Sequence, residues 1–340
     1  MTADSRAVTD GDNRGTAWRL IWTIARLGIG AALVYWLVRT GAIDWSALTL
    51  LLERWPLVVI GAALVLTAFT LMAARLVLLC RPTTIRVSLA DAVRLTMVGT
   101  FFSLVLPGAA GGDVVRIWYA THGHAGRRAE VVAIFLFDRA IGMFTLVMMP
   151  LFVLPFAAGI RSVPAVQALA WTAGLMLAGM IGGLAVVMSE RLRRSALVTW
   201  CFTHLPLGSS IAQMVDAVRV YRSAPGTVLQ AIAISCVAQA VMIGATILLA
   251  GVLLGDAFNW SVLVLIPLGL LANAVPATPG GLGVGEAAFD SLFRLGGLSQ
   301  GATVLIGLRL LLLVPAAIGL AIYLGGRKQF VTAADGTAHG

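Results

Sequence analysis

The sequence reads Val275-Pro-Ala-Thr-Pro-Gly-Gly-Leu-Gly-Val-Gly285 in the middle of an apolar region, 260–295. A second apolar region, 95–118, is interrupted in the same way by Leu106-Pro-Gly-Ala-Ala-Gly-Gly112. The two interruptions share the pattern Pro-x-x-x-Gly-Gly. Proline stops a helix, and glycine lets the backbone reverse. Both regions are therefore predicted to be broken helices.

The composition around these segments is that of a membrane protein. Of the 340 residues, 59% are hydrophobic and 11% are charged, whereas a soluble domain has about 25% charged residues. The net charge of +9 is explained by basic cytoplasmic loops, so we expect no nucleic-acid partner. The three cysteines and four histidines show neither disulfide nor metal-binding spacing. We therefore predict no metal and no cofactor.

Uninterrupted apolar stretches give the membrane-spanning helices, each of which needs about 20 residues to cross a bilayer. The stretches are 20–38, 57–79, 131–157, 165–188, 228–254 and 301–324. No cleavage site follows the first one, so we expect a retained helix and not a signal peptide. The predicted fold class is an all-α membrane protein with about six full transmembrane helices plus two re-entrant broken-helix hairpins.

The placement of arginine favours broken segments that return to the side they entered. With a cytoplasmic N-terminus and two re-entrant hairpins, most basic residues outside the spans lie in the cytoplasm. Full crossings would move Arg127–Arg128 and Arg191–Arg194 outside, against the positive-inside rule. We expect a protein integral to the plasma (bacterial inner) membrane with both termini cytoplasmic. Its parts are a polar tail at 1–17, one transmembrane domain at 18–325 and a tail at 326–340.

The two hairpins then enter from opposite faces of the membrane, and the helices around them form an inverted repeat. The predicted repeats span about 57–157 and 228–324. Arg139 and Arg309 fall at corresponding places in the last helix of each repeat. This layout is typical of transporters whose substrate site lies where the broken helices meet.

The broken segments also predict a kind of ligand. Irregular backbone at membrane depth leaves N–H and C=O groups without partners unless protein, water or a ligand supplies them. Pro107 and Pro276 stop the entering helices, and the glycines that follow let backbone amides approach a ligand closely. The N-terminus of each returning helix then points into the membrane, where it favours an anion such as a phosphate.

Charged residues near the tips and inside the spans are the next candidates, because charges at membrane depth by default mark a substrate or ion path. Asp113 and Arg116 follow the first tip at a spacing that lets them pair on one helix face. The deeper charges are Asp138, Arg139, Glu286 and Arg309. The excess of arginine suits an anionic head group, whose phosphate oxygens match the planar guanidinium.

The alternative is that these charges form buried structural ion pairs. Asp138–Arg309 and Glu286–Arg139 are the candidate pairs. Arg75 lies four residues from the end of its span, so we expect its side chain to snorkel to the interface.

At these motifs the chain resembles the lysylphosphatidylglycerol synthase transmembrane-region family, also called flippase-like membrane proteins. Three sequence motifs are typical of that family: LPGxxGGDxxR, DRxxG and PxxxGGxGxxE. They match stretches of this chain that begin at Leu106, Asp138 and Pro276. They occur in the family's order, and the resemblance covers about residues 20–325. It implies a substrate site at Pro107, Gly111, Gly112, Asp113, Arg116, Asp138, Arg139, Pro276, Gly280, Gly281, Gly283 and Glu286. We add Arg309, because it corresponds to Arg139 in the repeat.

The resemblance implies movement of a lipid between leaflets. The cargo is an aminoacylated phospholipid in the best-known members and an isoprenoid-type or hopanoid lipid in others. Many relatives have Asn where this chain has Ser103, and Arg where it has Gly285. The second departure removes a phosphate ligand. Members that transfer an aminoacyl group carry a large soluble C-terminal domain, which we expect this chain to lack, and we therefore predict no enzyme activity.

We predict a lipid flippase or transporter that moves an anionic or phosphate-bearing lipid between leaflets. Two alternatives stay open. One is a membrane-embedded enzyme that modifies a lipid head group with Asp113, Asp138 or Glu286 as acid or base. The other is a non-catalytic membrane partner that anchors a separate lipid-synthesis enzyme through the basic loop 189–222.

Overall fold

The structure, a computed structural model, describes Thr49 and residues 53–105, 111–122, 126–157, 159–189, 219–254, 260–273, 284–298 and 301–325. Within these ranges every regular element is a helix, and no strand occurs. The helices are α1 (Trp55–Cys80), α2 (Leu89–Val105), α3 (Gly111–His122), α4 (Arg128–Val153), α5 (Pro164–Met188), α6 (Pro225–Leu254), α7 (Trp260–Asn273), α8 (Val284–Leu295) and α9 (Gly301–Leu324). Short 3₁₀ turns lie at Leu154–Phe156 and Arg219–Arg222. The prediction of an all-α protein is confirmed.

Five of the described helices, α1, α4, α5, α6 and α9, are long and apolar enough to cross a membrane. They match five of the predicted stretches, from 57–79 to 301–324. The remaining predicted span, 20–38, lies outside the described residues. Pro56 and Pro164 stand in the first turns of α1 and α5, where the missing N–H removes no intrahelical hydrogen bond.

The other four helices are too short to span a bilayer. The lengths of α2, α3, α7 and α8 are 17, 12, 14 and 12 residues, so each extends about 18–26 Å at 1.5 Å per residue. The hydrocarbon core is about 30 Å thick. These four helices form the two predicted broken segments.

In the first broken segment α2 and α3 lie antiparallel. Gly112, near the start of α3, packs against Gly99 and Ser103 of α2. One turn later along α3, Arg116 lies beside Gly99 and hydrogen-bonds Thr96. Advancing along α3 therefore means going back along α2, so the pair is a helical hairpin.

The second broken segment has the same geometry. Gly285 of α8 packs against the side chain of Asn273 at the end of α7, and the ring of Phe289 packs against Gly269 one turn back. The tips of the two hairpins, 106–110 and 274–283, lie outside the described residues. The predicted site residues Pro107, Pro276, Gly280, Gly281 and Gly283 lie there.

The helices that precede the two hairpins run in opposite directions. Near the start of α1, Gly61 lies against Leu248 of α6, and towards the end of α1 Arg75 hydrogen-bonds Ser235 of the same helix. Helices α1 and α6 are therefore antiparallel, as equivalent helices of an inverted repeat must be. Each hairpin also packs against the long helix that follows the other hairpin, since α2 contacts α9 and α7 contacts α4. These contacts support the inverted repeat. The residue bounds of the two repeats, and the membrane face from which each hairpin enters, stay predictions.

Apolar side chains fill two clusters. One is centred on α6, α7, α8 and α9 and contains the fully buried Phe289 and Phe293. The other joins α1, α2 and α4 and encloses Tyr221, whose hydroxyl donates a hydrogen bond to the carbonyl of Leu79 at 2.6 Å. Each hairpin is thus held against the rest of the bundle by its own core.

Candidate functional site

The first charged site is positioned by the close approach of α2 and α3. A side chain at Gly112 would collide with the carbonyl oxygen of Gly99 and with the hydroxyl of Ser103. Glycine at this position is therefore required for the contact between the two helices. It places Asp113 in the first turn of α3, where the positive end of the helix dipole favours a carboxylate.

Two arginines share the carboxylate of Asp113. The guanidinium of Arg116, one turn further along α3, lies 3.3 Å from Oδ1 of Asp113. Arg139 of α4 forms an ion pair with the other oxygen, Oδ2. The predicted pairing of Asp113 with Arg116 is confirmed. Two cations against one anion leave this site with one unit of positive charge.

The guanidinium of Arg116 retains hydrogen-bonding capacity. Its terminal nitrogen donates to Oγ1 of Thr96 at 3.4 Å, and its carbon lies 5.4 Å from the ring centre of Phe135. Its Nε is buried and finds no acceptor among the described residues. Buried N–H groups of this kind are normally paired, so Arg116 has a donor available for a ligand.

A second charged site lies at the second hairpin. Glu286 is in the first turn of α8, and Oε1 of its carboxylate lies 3.0 Å from Nε of Arg309 on α9. Arg309 also donates to Oδ1 of Asn273 at 3.4 Å. The side chains of Arg309 and Glu286 are only 12% and 16% exposed. In each repeat, then, an acid at the start of the returning helix pairs with an arginine of the next long helix.

Gly285, near the start of α8, is fixed by packing. A side chain there would collide with the carboxamide of Asn273, the residue that contacts Arg309. Glycine at this position therefore permits the close contact between α7 and α8.

Asp138 belongs to neither of these two ion-pair sites and pairs with Arg75. Nε of Arg75 donates to Oδ1 of Asp138 at 2.7 Å, and another guanidinium nitrogen donates to Oγ of Ser235 at 2.6 Å. The hydroxyls of Ser235 and Thr145 lie 2.9 Å apart. This network joins α1, α4 and α6 in the interior, and the exposed fraction of Asp138 is 2%.

Three of the predictions for these charges are wrong. Arg75 does not snorkel, because the end of α1 is covered by α4 and α6 and the side chain is turned into the bundle. The proposed structural pairs also differ, since Asp138 pairs with Arg75 and Glu286 pairs with Arg309. Arg75 is the one charged residue of the predicted span 57–79, and a charge inside an apolar span normally pairs with another charge, so this was the signal that pointed to a buried partner.

An apolar cleft of about 280 Å³ opens between α4, α5 and α6. Phe137, Phe144, Met180, Leu184, Val228 and Ile232 are among its lining residues. None of the charged residues described above lines it. The described residues also include no group of three His, Cys, Asp or Glu side chains that could hold a metal ion.

Comparison with known proteins gives one family and no individual relative. No curated protein and no solved structure is significantly similar to the chain. The family model for the lysylphosphatidylglycerol synthase TM region matches residues 23–319. The match contains both hairpins and every charged site residue, and it indicates a function related to membrane lipids. The chain therefore belongs to the lysylphosphatidylglycerol synthase TM-region family of integral membrane proteins.

Proposed function

We propose that the protein is a lipid flippase that binds an anionic head group at the first hairpin and moves the lipid between leaflets. The observation that carries this proposal is the shared carboxylate of Asp113. Two arginines surround one acid, so a phosphate can bind there with its charge compensated. Arginine is suited to this role because its planar donors match two phosphate oxygens at once.

The antiparallel arrangement of the two halves supports transport. Inverted repeats with broken helices let one half rock against the other around a central site. Helices α1 and α6 form the interface along which such a motion would occur. The proposal keeps the predicted placement in the bacterial inner membrane, with both termini cytoplasmic, on the basis of the arginine distribution.

The pairing of the acids favours transport over enzyme chemistry. An acid or base that moves protons needs to reach the reacting group in the correct protonation state. Asp113, Asp138 and Glu286 are instead each held by at least one arginine. The proposed role of the protein is thus binding and movement of a lipid.

The proposal is tested in liposomes that contain the purified protein and a small fraction of fluorescently labelled phosphatidylglycerol. A membrane-impermeant quencher measures how quickly inner-leaflet label reaches the outside. We expect faster exchange than in protein-free liposomes, and slower exchange for labelled phosphatidylcholine, whose head group carries no net charge. Exchange no faster than in protein-free liposomes for any anionic lipid would contradict the proposal. A chemically modified head group in the recovered lipid would support an enzyme instead.

A further inference from the structure

Two residues of α4 contact the first hairpin from the same side of their helix. Phe135 and Arg139 are four residues apart, a spacing that places them one turn apart on one helix face. Arg139 forms an ion pair with Asp113 of α3. The ring of Phe135 lies against the other cation of the site, since the guanidinium carbon of Arg116 is 5.4 Å from the ring centre. This face of α4 therefore contacts both members of the Asp113–Arg116 pair.

The polar contacts of Arg116 within the hairpin restrain its guanidinium only partly. One terminal nitrogen lies 3.3 Å from Oδ1 of Asp113, and the other lies 3.4 Å from Oγ1 of Thr96. Both distances are long for hydrogen bonds from nitrogen to oxygen. The hydroxyl of Thr96 donates its own hydrogen to the carbonyl oxygen of Ala92 at 2.7 Å, so it serves Arg116 only as an acceptor. Two contacts at the terminal nitrogens define a line, about which the guanidinium plane can still rotate.

The ring of Phe135 supplies the missing restraint. A cation within about 6 Å of the centre of an aromatic ring is attracted to the ring face, and the attraction is stronger where water is excluded. Phe135 is 6% exposed and belongs to the apolar cluster that joins α1, α2 and α4, so its neighbours hold the ring in place. From the hairpin itself, Gly99 of α2 lies against the methylene carbons of Arg116. The side chain of Arg116 is thus packed from both α2 and α4.

An aromatic ring holds the guanidinium without using its hydrogen-bond donors. An acid or an amide in place of Phe135 would accept hydrogen bonds from Arg116, and an acid would also cancel its charge. The face of the Phe135 ring accepts no such bond and carries no net charge. Nε of Arg116 is buried and has no acceptor among the described residues. The contact therefore fixes Arg116 and leaves its charge and its N–H groups available for a ligand.

We propose that Phe135 is a positioning residue of the head-group site, whose ring orients the guanidinium of Arg116 towards an oxygen of the lipid phosphate. Phe135 does not touch the ligand and acts only through Arg116. The inference rests on the proposed function, because it assumes that the first hairpin binds an anionic head group. It adds that the affinity of this site for a phosphate oxyanion depends on an uncharged aromatic ring of α4.

The test changes the electron distribution of the ring while its shape stays nearly constant. Phe135 is replaced by phenylalanines that carry an increasing number of ring fluorines, which withdraw negative charge from the ring face and so weaken its attraction for a cation. A titration with labelled phosphatidylglycerol in detergent solution measures the affinity of each variant. We expect the dissociation constant to rise with each added fluorine, and to reach about fivefold above wild type for the most heavily fluorinated ring.

Phe293 provides the matched control. It is fully buried in the other apolar cluster, and its ring stacks on that of Phe289 with the ring centres 6.0 Å apart. The same fluorinated phenylalanines in place of Phe293 should leave the affinity unchanged. Equal affinity throughout the Phe135 series would overturn the inference, and so would an equal loss in the Phe293 series.

A double-mutant cycle shows whether Phe135 acts through Arg116. Phe135→Leu keeps an apolar side chain and should weaken binding about fivefold or more. In the presence of Arg116→Gln the same change should cause no further loss, because the cation that the ring attracts is already gone. Equal losses with and without Arg116 would overturn the positioning role. If Phe135→Leu does not fold, the fluorinated series decides, since it preserves the shape of the ring.

Two further outcomes separate this inference from the proposed function. Normal binding and transport of phosphatidylglycerol throughout the Phe135 series overturn the role of Phe135 and leave the flippase proposal standing. No binding and no transport by the wild type overturn both. Inorganic phosphate added in equal concentration should not displace the lipid, and displacement would overturn the assignment of the ligand to a lipid head group.

Discussion

Asp113 on α3 and Arg139 on α4 form an ion pair that joins the first hairpin to the long helix behind it. Arg116 contacts the same carboxylate from within the hairpin. The carboxylate therefore lies between two guanidinium groups, which is the position that the proposed function assigns to a lipid phosphate. If a phosphate binds there, as we propose, it competes with Asp113 for the two arginines, and this competition sets how tightly the ligand is held.

Replacing Asp113 by Asn tests this competition. The change removes the negative charge from between the two arginines, so the site gains one further unit of positive charge. We expect phosphatidylglycerol to bind about tenfold more tightly, which corresponds to about 1.4 kcal/mol, and transport to slow because release becomes slower. A titration with labelled lipid measures the affinity. Asp91→Asn, which removes the partner of the half-exposed Arg94, is the control, and weaker binding in Asp113→Asn would contradict the account.

Arg75→Ala should destabilise the protein strongly without touching the ligand site. Removal of one partner leaves Asp138 as an unpaired charge in the interior, at a cost of about 3–5 kcal/mol. The loss should appear as a lower unfolding temperature in detergent. The double change Arg75→Met with Asp138→Leu should cost less than Arg75→Ala, because no charge is left buried.

The control for this pair is Arg294→Ala, which removes a side chain that is 75% exposed. An exposed ion pair contributes about 0–1 kcal/mol, so the unfolding temperature should hardly change. A wild-type unfolding temperature for Arg75→Ala would show that the buried pair does not stabilise the bundle.

The contrast between these pairs shows what the sequence can and cannot reveal. Proline and glycine at the tips identify both hairpins, since few other residues stop and reverse a helix, and the spacing of Asp113 and Arg116 fixes their shared helix face. The fate of Arg75 depends on which helices cover the end of α1. Its position near the end of an apolar span predicts a side chain at the interface, whereas the contacts of α1 with α4 and α6 place it in the interior.

The same reasoning applies to the second hairpin. The pairing of Glu286 with Arg309 requires α8 and α9 to be neighbours, and only the inverted repeat indicates this. Once Asp113 is known to pair with Arg139, the repeat predicts the second pair directly.

Gly112→Ala should loosen the first hairpin. The added methyl group would overlap the backbone of Gly99 and the hydroxyl of Ser103, and overpacking of this kind costs about 1–3 kcal/mol. We expect a lower unfolding temperature and reduced lipid retention, because Asp113 and Arg116 move with α3. Gly179→Ala on α5, where no atom lies within 4 Å of the added group, should behave as the wild type, and equal behaviour of both variants would contradict the close contact.

Tyr221→Phe should remove the hydrogen bond to the carbonyl of Leu79, at a cost of about 1 kcal/mol. Burial raises the pKa of the Tyr221 phenol above its ordinary value. The neutral hydroxyl thus stabilises the folded protein below about pH 10, the unfolded pKa, and this contribution is lost as the pH rises further. Unfolding temperatures measured at increasing pH should therefore fall more steeply above pH ~10 in the wild type than in Tyr221→Phe. Parallel curves would contradict this role.

The most direct measurement compares transport of labelled phosphatidylglycerol by wild-type protein, Arg139→Gln and Arg94→Gln in the same liposomes. Arg139 and Arg94 each pair with an aspartate, but only the pair of Arg139 belongs to the ligand site. We expect Arg139→Gln to reduce the transport rate about 10-fold or more, since a charge-assisted hydrogen bond is lost, and Arg94→Gln to leave it unchanged. Equal transport by wild type and Arg139→Gln, at equal protein incorporation, would contradict the claim that these arginines carry the anionic head group.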